Sequence, residues 1–131
     1  MSRKTLQPPG WPRPKGYSNG VSASGRMVFV AGVVGWNDRE EFETDDFAGQ
    51  TRQALENIVA VLKEGDALPE HMVRMTWYVG DKNEYLSSLK AIGEVYKDVI
   101  GKHYPVMTAV EVGGFVEDGA KLEIEVTAVV P

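Results

Sequence analysis

Two β-branched runs close the chain and set its pattern. From Tyr104 the sequence reads YPVMTAVEVGG, then FVEDG, then AKLEIEVTAVV. In the last run Leu122, Ile124, Val126, Ala128 and Val130 alternate with Glu123, Glu125 and Thr127, the period-two signature of a strand with one buried face. In the run before it Val106, Thr108, Val110 and Val112 share a face, opposite Met107, Ala109 and Glu111. Asp118-Gly119 between the runs predicts a hairpin turn. The apolar face needs helices over it. The face that mixes carboxylates with Met107 and Ala109 is the one expected to carry a site.

Upstream, residues 1–16 hold Pro8, Pro9, Pro12 and Pro14 with Trp11, which predicts an irregular arm ahead of a domain over 17–131. Tyr17 to Ser22 predicts a short strand, Ser24-Gly25 a turn, and Arg26 to Trp36 a longer strand whose consecutive apolar residues suit burial on both faces. After the acidic stretch to Glu43, Thr44 is a candidate N-cap. Phe47, Thr51, Leu55, Ile58 and Leu62 then repeat at helical spacing up to Gly65. Met72–Val79 predicts a strand. Asp81 or Asn83 caps a second helix with the stripe Tyr85, Leu89, Ile92, Tyr96, Val99, which stops at Gly101.

The order is β-β-α-β-α-β-β. Two helices cannot cover both faces of such a sheet, so they lie together on one, giving an α+β two-layer sandwich. The second face of the long strand would then be a wet apolar patch, and another copy of the chain is expected to cover it.

Composition narrows the function classes. A chain of 131 residues, 43% hydrophobic and 25% charged, suits one globular domain. The net charge of −5, with basic residues gathered only at Arg3, Lys4, Arg13 and Lys15, argues against a nucleic-acid surface. The absence of cysteine removes disulfides and thiolate chemistry. No apolar run reaches membrane-spanning length and residues 1–20 hold no signal-peptide core, so a soluble cytoplasmic protein is expected.

Several blocks in order carry a family resemblance: GYSNGV at Tyr17, VFVAGVVGW, FAGQTRQALENIVAVLKEGDA, MVRMTWYVGD, EVYKDVIGKHYP and the closing LEIEVTAV. In these the chain resembles the RidA family, also called YjgF-type or endoribonuclease L-PSP-like. The resemblance implies a chorismate-mutase-like fold, a homotrimer with helices outside, and ligand clefts between subunits. It implies hydrolysis of reactive enamines and imines to the keto acid and ammonia, with neither metal nor organic cofactor.

The same resemblance assigns candidate residues. Tyr17 matches the cleft tyrosine, which holds ligand or water; a tyrosine that merely packs the rim is the plain alternative. Glu123 matches the acidic residue that positions or activates water, against the plain reading of a surface glutamate. In Pro105-Val106-Met107-Thr108, Met107 stands where relatives carry the arginine that grips a substrate carboxylate bidentately. A thioether cannot bind a carboxylate, so the usual imino-acid substrate is disfavoured; Arg74 or Arg26 would have to substitute. Ala31 and Val33 stand where relatives often carry a hydroxyl and an amide. With Ala109 on the face of Met107, and with Trp36, Trp77 and Phe115 as candidate lining (ordinary packing being the plain alternative for each), they predict a more apolar cleft and a more hydrophobic ligand.

Other chemistry finds no support. His71 and His103 are far apart and match no metal motif, the serines form no nucleophile elbow, and Gly113-Gly114 does not precede a helix. The Asp38–Asp46 stretch lacks calcium-loop spacing. Three readings remain: a RidA-like deaminase or related small-molecule hydrolase, a non-catalytic metabolite-binding trimer, and, most weakly given the charge, an endoribonuclease.

Overall fold

A computed structural model describes residues 3–131; the first two residues of the arm lie outside them. Among the described residues six strands and three α-helices follow one another, with a 3-10 turn at Pro69–His71 before the fourth strand: β1 (Arg3–Leu6), β2 (Gly20–Ala23), β3 (Arg26–Val34), α1 (Phe47–Glu64), β4 (Met72–Val79), α2 (Lys82–Ser87), α3 (Leu89–Val99), β5 (Val106–Glu111) and β6 (Leu122–Val130). A four-stranded sheet in the order β3-β6-β4-β5 carries α1 and α3 on one face, the expected α+β two-layer arrangement. No helix among the described residues is long and apolar enough to cross a membrane.

Helix α1 forms where the 3.6-residue stripe predicts it. Ala54, Leu55, Ile58 and Leu62 are fully buried against the sheet. Full burial stabilises each of the larger three by about 1.5–3 kcal/mol. Its N-cap is Asp46, whose Oδ2 accepts from the Gly49 amide at 2.8 Å; Thr44 Oγ1 accepts from the Asp46 amide at 3.0 Å instead. Asp81 caps α2 as expected, accepting from the Glu84 amide at 3.0 Å. The single second helix of the sequence reading is two, parted at Ser88.

The predicted hairpin is corrected. β5 and β6 do not pair: β4 lies between them, parallel to β5 and antiparallel to β6. The connection wraps the C-terminal end of β4, where the Val112 amide donates to Val79 O at 2.9 Å and the Gly80 amide to Lys121 O at 3.1 Å. Gln50, fully buried on α1, pins that crossover. Its Nε2 donates to Gly119 O at 2.9 Å and its Oε1 accepts from the Lys121 amide at 2.9 Å. Asp118-Gly119 is therefore a turn in a crossover, and Gly119 takes the left-handed φ of 91° that its lack of Cβ permits.

Two further differences concern the first strands. The arm expected to be irregular contributes β1, which pairs antiparallel with β2 as a separate ribbon. The short strand expected at Tyr17 begins only at Gly20, though Ser18 bridges to Val106.

Candidate functional site

Register fixes which side chains share a face, because directly paired residues project the same way. Met75, Trp77 and Val79, all buried under the helices, pair with Met107, Ala109 and Glu111 of β5 and with Val126, Ile124 and Leu122 of β6. Met107 and Ala109 therefore belong to the helix-covered face. The expectation that they share a face with the carboxylates is overturned for Glu123 and Glu125 of β6, while Glu111 of β5 stays in phase with them: a parallel neighbour, not a hairpin partner, sets the phase of β5. The uncovered face carries Arg74, Thr76 and Tyr78 of β4, Glu123 and Glu125 of β6, and Met27 and Phe29 of β3. Met27 and Phe29 are 55% and 69% exposed.

The structure brings Tyr17 and Met107 together. Both line a cavity of about 450 Å³ at the β5 edge of the helix layer, with Trp77, Tyr85, Leu89 and Ile92 among its walls. Lys15 is the only charged residue lining it. Tyr96 adds an aromatic wall, stacked on Tyr104 with centroids 5.8 Å apart, and donates its hydroxyl to His103 O. Burial holds the Tyr96 phenol above its ordinary pKa, helped by neighbouring Tyr104 and opposed by Arg3.

A second cavity, of about 670 Å³, also reaches Tyr17 and Met107 and includes Arg74 and Phe29. Of the two arginines considered as substitutes for the missing clamp, Arg74 thus reaches the same space. Arg26 does not line it, and its Nη1 donates to Gly65 O at 2.8 Å.

The other candidates lie apart. Glu123 stands on the uncovered face against Gly32, where an added Cβ would come within 2.2 Å of its Oε2. Ala31 lines a cavity with Arg74 and Glu125. Val33 packs against the core. Trp36 meets Phe42 at 5.7 Å between centroids, and Phe115 lies against Gly80. Within one protomer, no described cavity holds both Tyr17 and Glu123.

Sequence reasoning missed the group most involved with the uncovered face. Tyr78 donates its hydroxyl to Glu125 Oε1 at 2.6 Å. That bond raises the phenol's pKa, with smaller additions from desolvation and from the charges of Glu125 and Glu123. Alternation in MVRMTWYV signals that Arg74, Thr76 and Tyr78 share a face, but not which β6 residues oppose them.

Comparison with known proteins sets this geometry in context. A family model described as Endoribonuclease L-PSP matches residues 12–130. A RutC family protein of Pyrococcus horikoshii is 34% identical over 119 residues, covering 89% of this chain and 90% of the relative. A 2-iminobutanoate/2-iminopropanoate deaminase of Salmonella typhimurium is 29% identical over 113 residues, 86% of each chain. A crystal structure of a protein of unknown function of the conserved Rid family from Yersinia pestis superposes with a TM-score of 0.87 at 29% identity, covering 99% of this chain and 100% of that one.

Proposed function

The chain belongs to the RidA family, described as Endoribonuclease L-PSP, and on that premise we propose that it is a cytoplasmic enamine or imine hydrolase acting in clefts between the subunits of a homotrimer. Its substrate is more hydrophobic and less dependent on a carboxylate than those of the named imine deaminases. The observation that carries this reading is the pairing of Tyr17 with Met107 in one cavity walled by Trp77, Tyr85, Leu89 and Ile92. An ionised carboxylate placed against Met107 would lose its hydration with no guanidinium at that position to replace it.

The reaction is C=NH + H2O → C=O + NH3. Water adds to the imine carbon, its proton passes to the nitrogen, and the carbinolamine expels ammonia. In this reading Tyr17 holds the ligand from one protomer. Glu123, on the uncovered face, reaches the water from a neighbouring copy as general base and then acid. The separation of Tyr17 from Glu123 within one chain supports an intersubunit site, and the exposed Met27 and Phe29 supply a surface for the contact.

Ammonia release from freshly generated 2-iminopropanoate and from bulkier uncharged imines tests the reading. Faster hydrolysis of the uncharged imines is expected, with loss of activity in Glu123→Gln. No acceleration of any imine would leave the second reading, a metabolite-binding trimer, which the loss of the arginine also favours. Activity confined to carboxylate imines and abolished by Arg74→Ala would make Arg74 the anion clamp and overturn the apolar-substrate part.

A further inference from the structure

The sequence gathers basic residues only at Arg3, Lys4, Arg13 and Lys15, and imine hydrolysis gives none of them a role. The fold adds Lys102 to that group. Buried Ser18 donates its hydroxyl to Tyr104 O, and its amide donates to Pro105 O at 3.0 Å. These two bonds tie the end of the arm to the loop that carries Lys102, His103 and Tyr104 into β5.

Two cavities of about 720 Å³ each meet along that tie, sharing Thr5, Ser18 and Tyr104. Arg13 and Lys15 line the first; Arg3, Lys4 and Lys102 line the second. Five of the chain's 14 lysines and arginines therefore border this space, and none of its 19 aspartates and glutamates does. Among the described residues none of the five forms an ion pair, whereas Arg39, Arg52 and Lys121 do. Cations crowded without counter-charge repel one another, and an anion placed among them relieves that repulsion.

Aromatic rings supply an independent observation. Trp11, Tyr17 and Tyr104 line the first cavity and are 60%, 41% and 39% exposed; Phe29 is the one other exposed aromatic among the described residues. The platform is held in place. Gln7 Nε2 donates to Trp11 O at 3.1 Å and to Pro12 O at 3.2 Å, and Gln7 Oε1 accepts from Asn19 Nδ2 at 2.6 Å. Tyr104 is fixed by its stack on Tyr96. Stacking a flat ring on such a side chain contributes about 1–3 kcal/mol.

We propose that these joined cavities bind a phosphate monoester of a flat-ringed molecule, of the size of a nucleoside monophosphate. A monoester carries a charge of about −1.5 to −2 at pH 7, which answers more than one cation, where a carboxylate answers one. The ring rests against Trp11 and Tyr17. The phosphate sits at the Tyr104 seam, between Arg13 and Lys102. This space borders the Met107 cavity through Lys15, Gly16, Tyr17 and Tyr104, but the proposal does not rest on hydrolysis.

Isothermal titration calorimetry of the full chain tests it, with 5′-AMP, phenyl phosphate, adenosine and inorganic phosphate as probes. At low salt 5′-AMP is expected to bind at least about tenfold tighter than adenosine or inorganic phosphate. Arg13→Ala combined with Lys102→Ala is expected to weaken 5′-AMP about tenfold and to leave adenosine unchanged; Trp11→Ala is expected to weaken both. All three side chains are exposed, so the variants are expected to fold, which circular dichroism checks. Equal binding of 5′-AMP and adenosine would remove the anion from the site. Equal binding of 5′-AMP and inorganic phosphate would remove the ring. No saturable binding of either phosphate ester would overturn the proposal outright. An octaadenylate that binds more than about a hundredfold tighter than 5′-AMP would make this surface a nucleic-acid strip and overturn the small-molecule assignment. Binding of 5′-AMP without hydrolysis of any imine sinks the hydrolase reading alone. Imine hydrolysis without phosphate-ester binding sinks this one alone.

Discussion

In the cleft proposed above, Met107 is the residue on which the choice of ligand turns. Replacing it by arginine puts a five-donor planar cation beside Tyr17, in a cavity whose only charged lining residue is Lys15. A charge-assisted bond to a carboxylate contributes about 2 kcal/mol, so Met107→Arg is expected to raise kcat/KM for 2-iminopropanoate roughly thirtyfold and to lower it for uncharged imines. Steady-state ammonia release reads both changes, and a variant that folds but gains nothing on the carboxylate imine counts against the inherited geometry. Tyr96 gives a pH prediction at the same scale. Its folded pKa lies above the unfolded value of 10.0 because burial disfavours the phenolate. Below pH 10 both states hold the proton. Above it the unfolded chain loses the proton first, so stability falls as pH rises, by up to about 1.4 kcal/mol per unit for one group. Tyr96→Phe is expected to cost about 1 kcal/mol at pH 8 through the lost bond to His103 O, and to flatten the decline above pH 10. Urea midpoints at pH 8, 9, 10 and 10.5 measure both. Met107 was legible in the sequence as a candidate, since Pro105-Val106-Met107-Thr108 needs only a motif to single it out. The meeting of Lys102 with the cations of the arm was not, because it depends on a tertiary bond from Ser18 to Tyr104 O.

At the level of elements, helices were the readable part. The stripe of α1 buries its apolar residues at the spacing the sequence shows; α3 buries Ile92 and Tyr96 of its predicted stripe together with Val95, while Leu89 stays exposed; and Asp81 caps where a short polar side chain before a helix should. Strand partners were less readable. Alternation gives each strand a face but no neighbour, and Asp-Gly is compatible with a hairpin and with the crossover that Gln50 holds. β1 escaped notice because four residues ahead of a proline-rich stretch carry too little pattern. Two glycines show how packing reverses one substitution's sign. At Gly35 a Cβ would come within 2.3 Å of Gln50 O and 2.8 Å of its Cα, so helix backbone itself blocks it. Gly35→Ala is expected to destabilise by about 3 kcal/mol through forced separation of strand and helix. Gly93→Ala, with nothing within 4 Å, is expected to stabilise by about 1 kcal/mol through helix propensity. Thermal unfolding of the pair against the parent chain checks the opposite signs. A stabilising Gly35→Ala would mean that the strand and helix do not approach this closely.

At the scale of the whole molecule, the proposed assembly turns on the uncovered sheet face. It is neither a solvated face nor a core. Met27 and Phe29 stand open at one side, while Arg74, Tyr78, Glu123 and Glu125 form a polar band beside them. Apolar side chains at a rim of charge suit a surface that meets another protein and excludes water at its centre. The homotrimer proposed above joins three such faces, so each exposed phenylalanine becomes buried and each Glu123 comes near a neighbour's Tyr17. Phe29→Asp tests the arrangement where it is most sensitive. Within one protomer the side chain at residue 29 is open to water, so the fold is expected to keep its stability to within about 0.5 kcal/mol. At a closed interface the same carboxylate would be desolvated without a partner, at several kcal/mol per copy. Light scattering behind size exclusion should then give a trimer of 14.4 kDa chains for the parent and a folded single chain for the variant. Imine hydrolysis should disappear with assembly, although Tyr17, Met107 and Glu123 are untouched. A parent that runs as a single folded chain, or a Phe29→Asp monomer that retains full activity, would move the site back inside one protomer, where Tyr17 and Glu123 share no cavity.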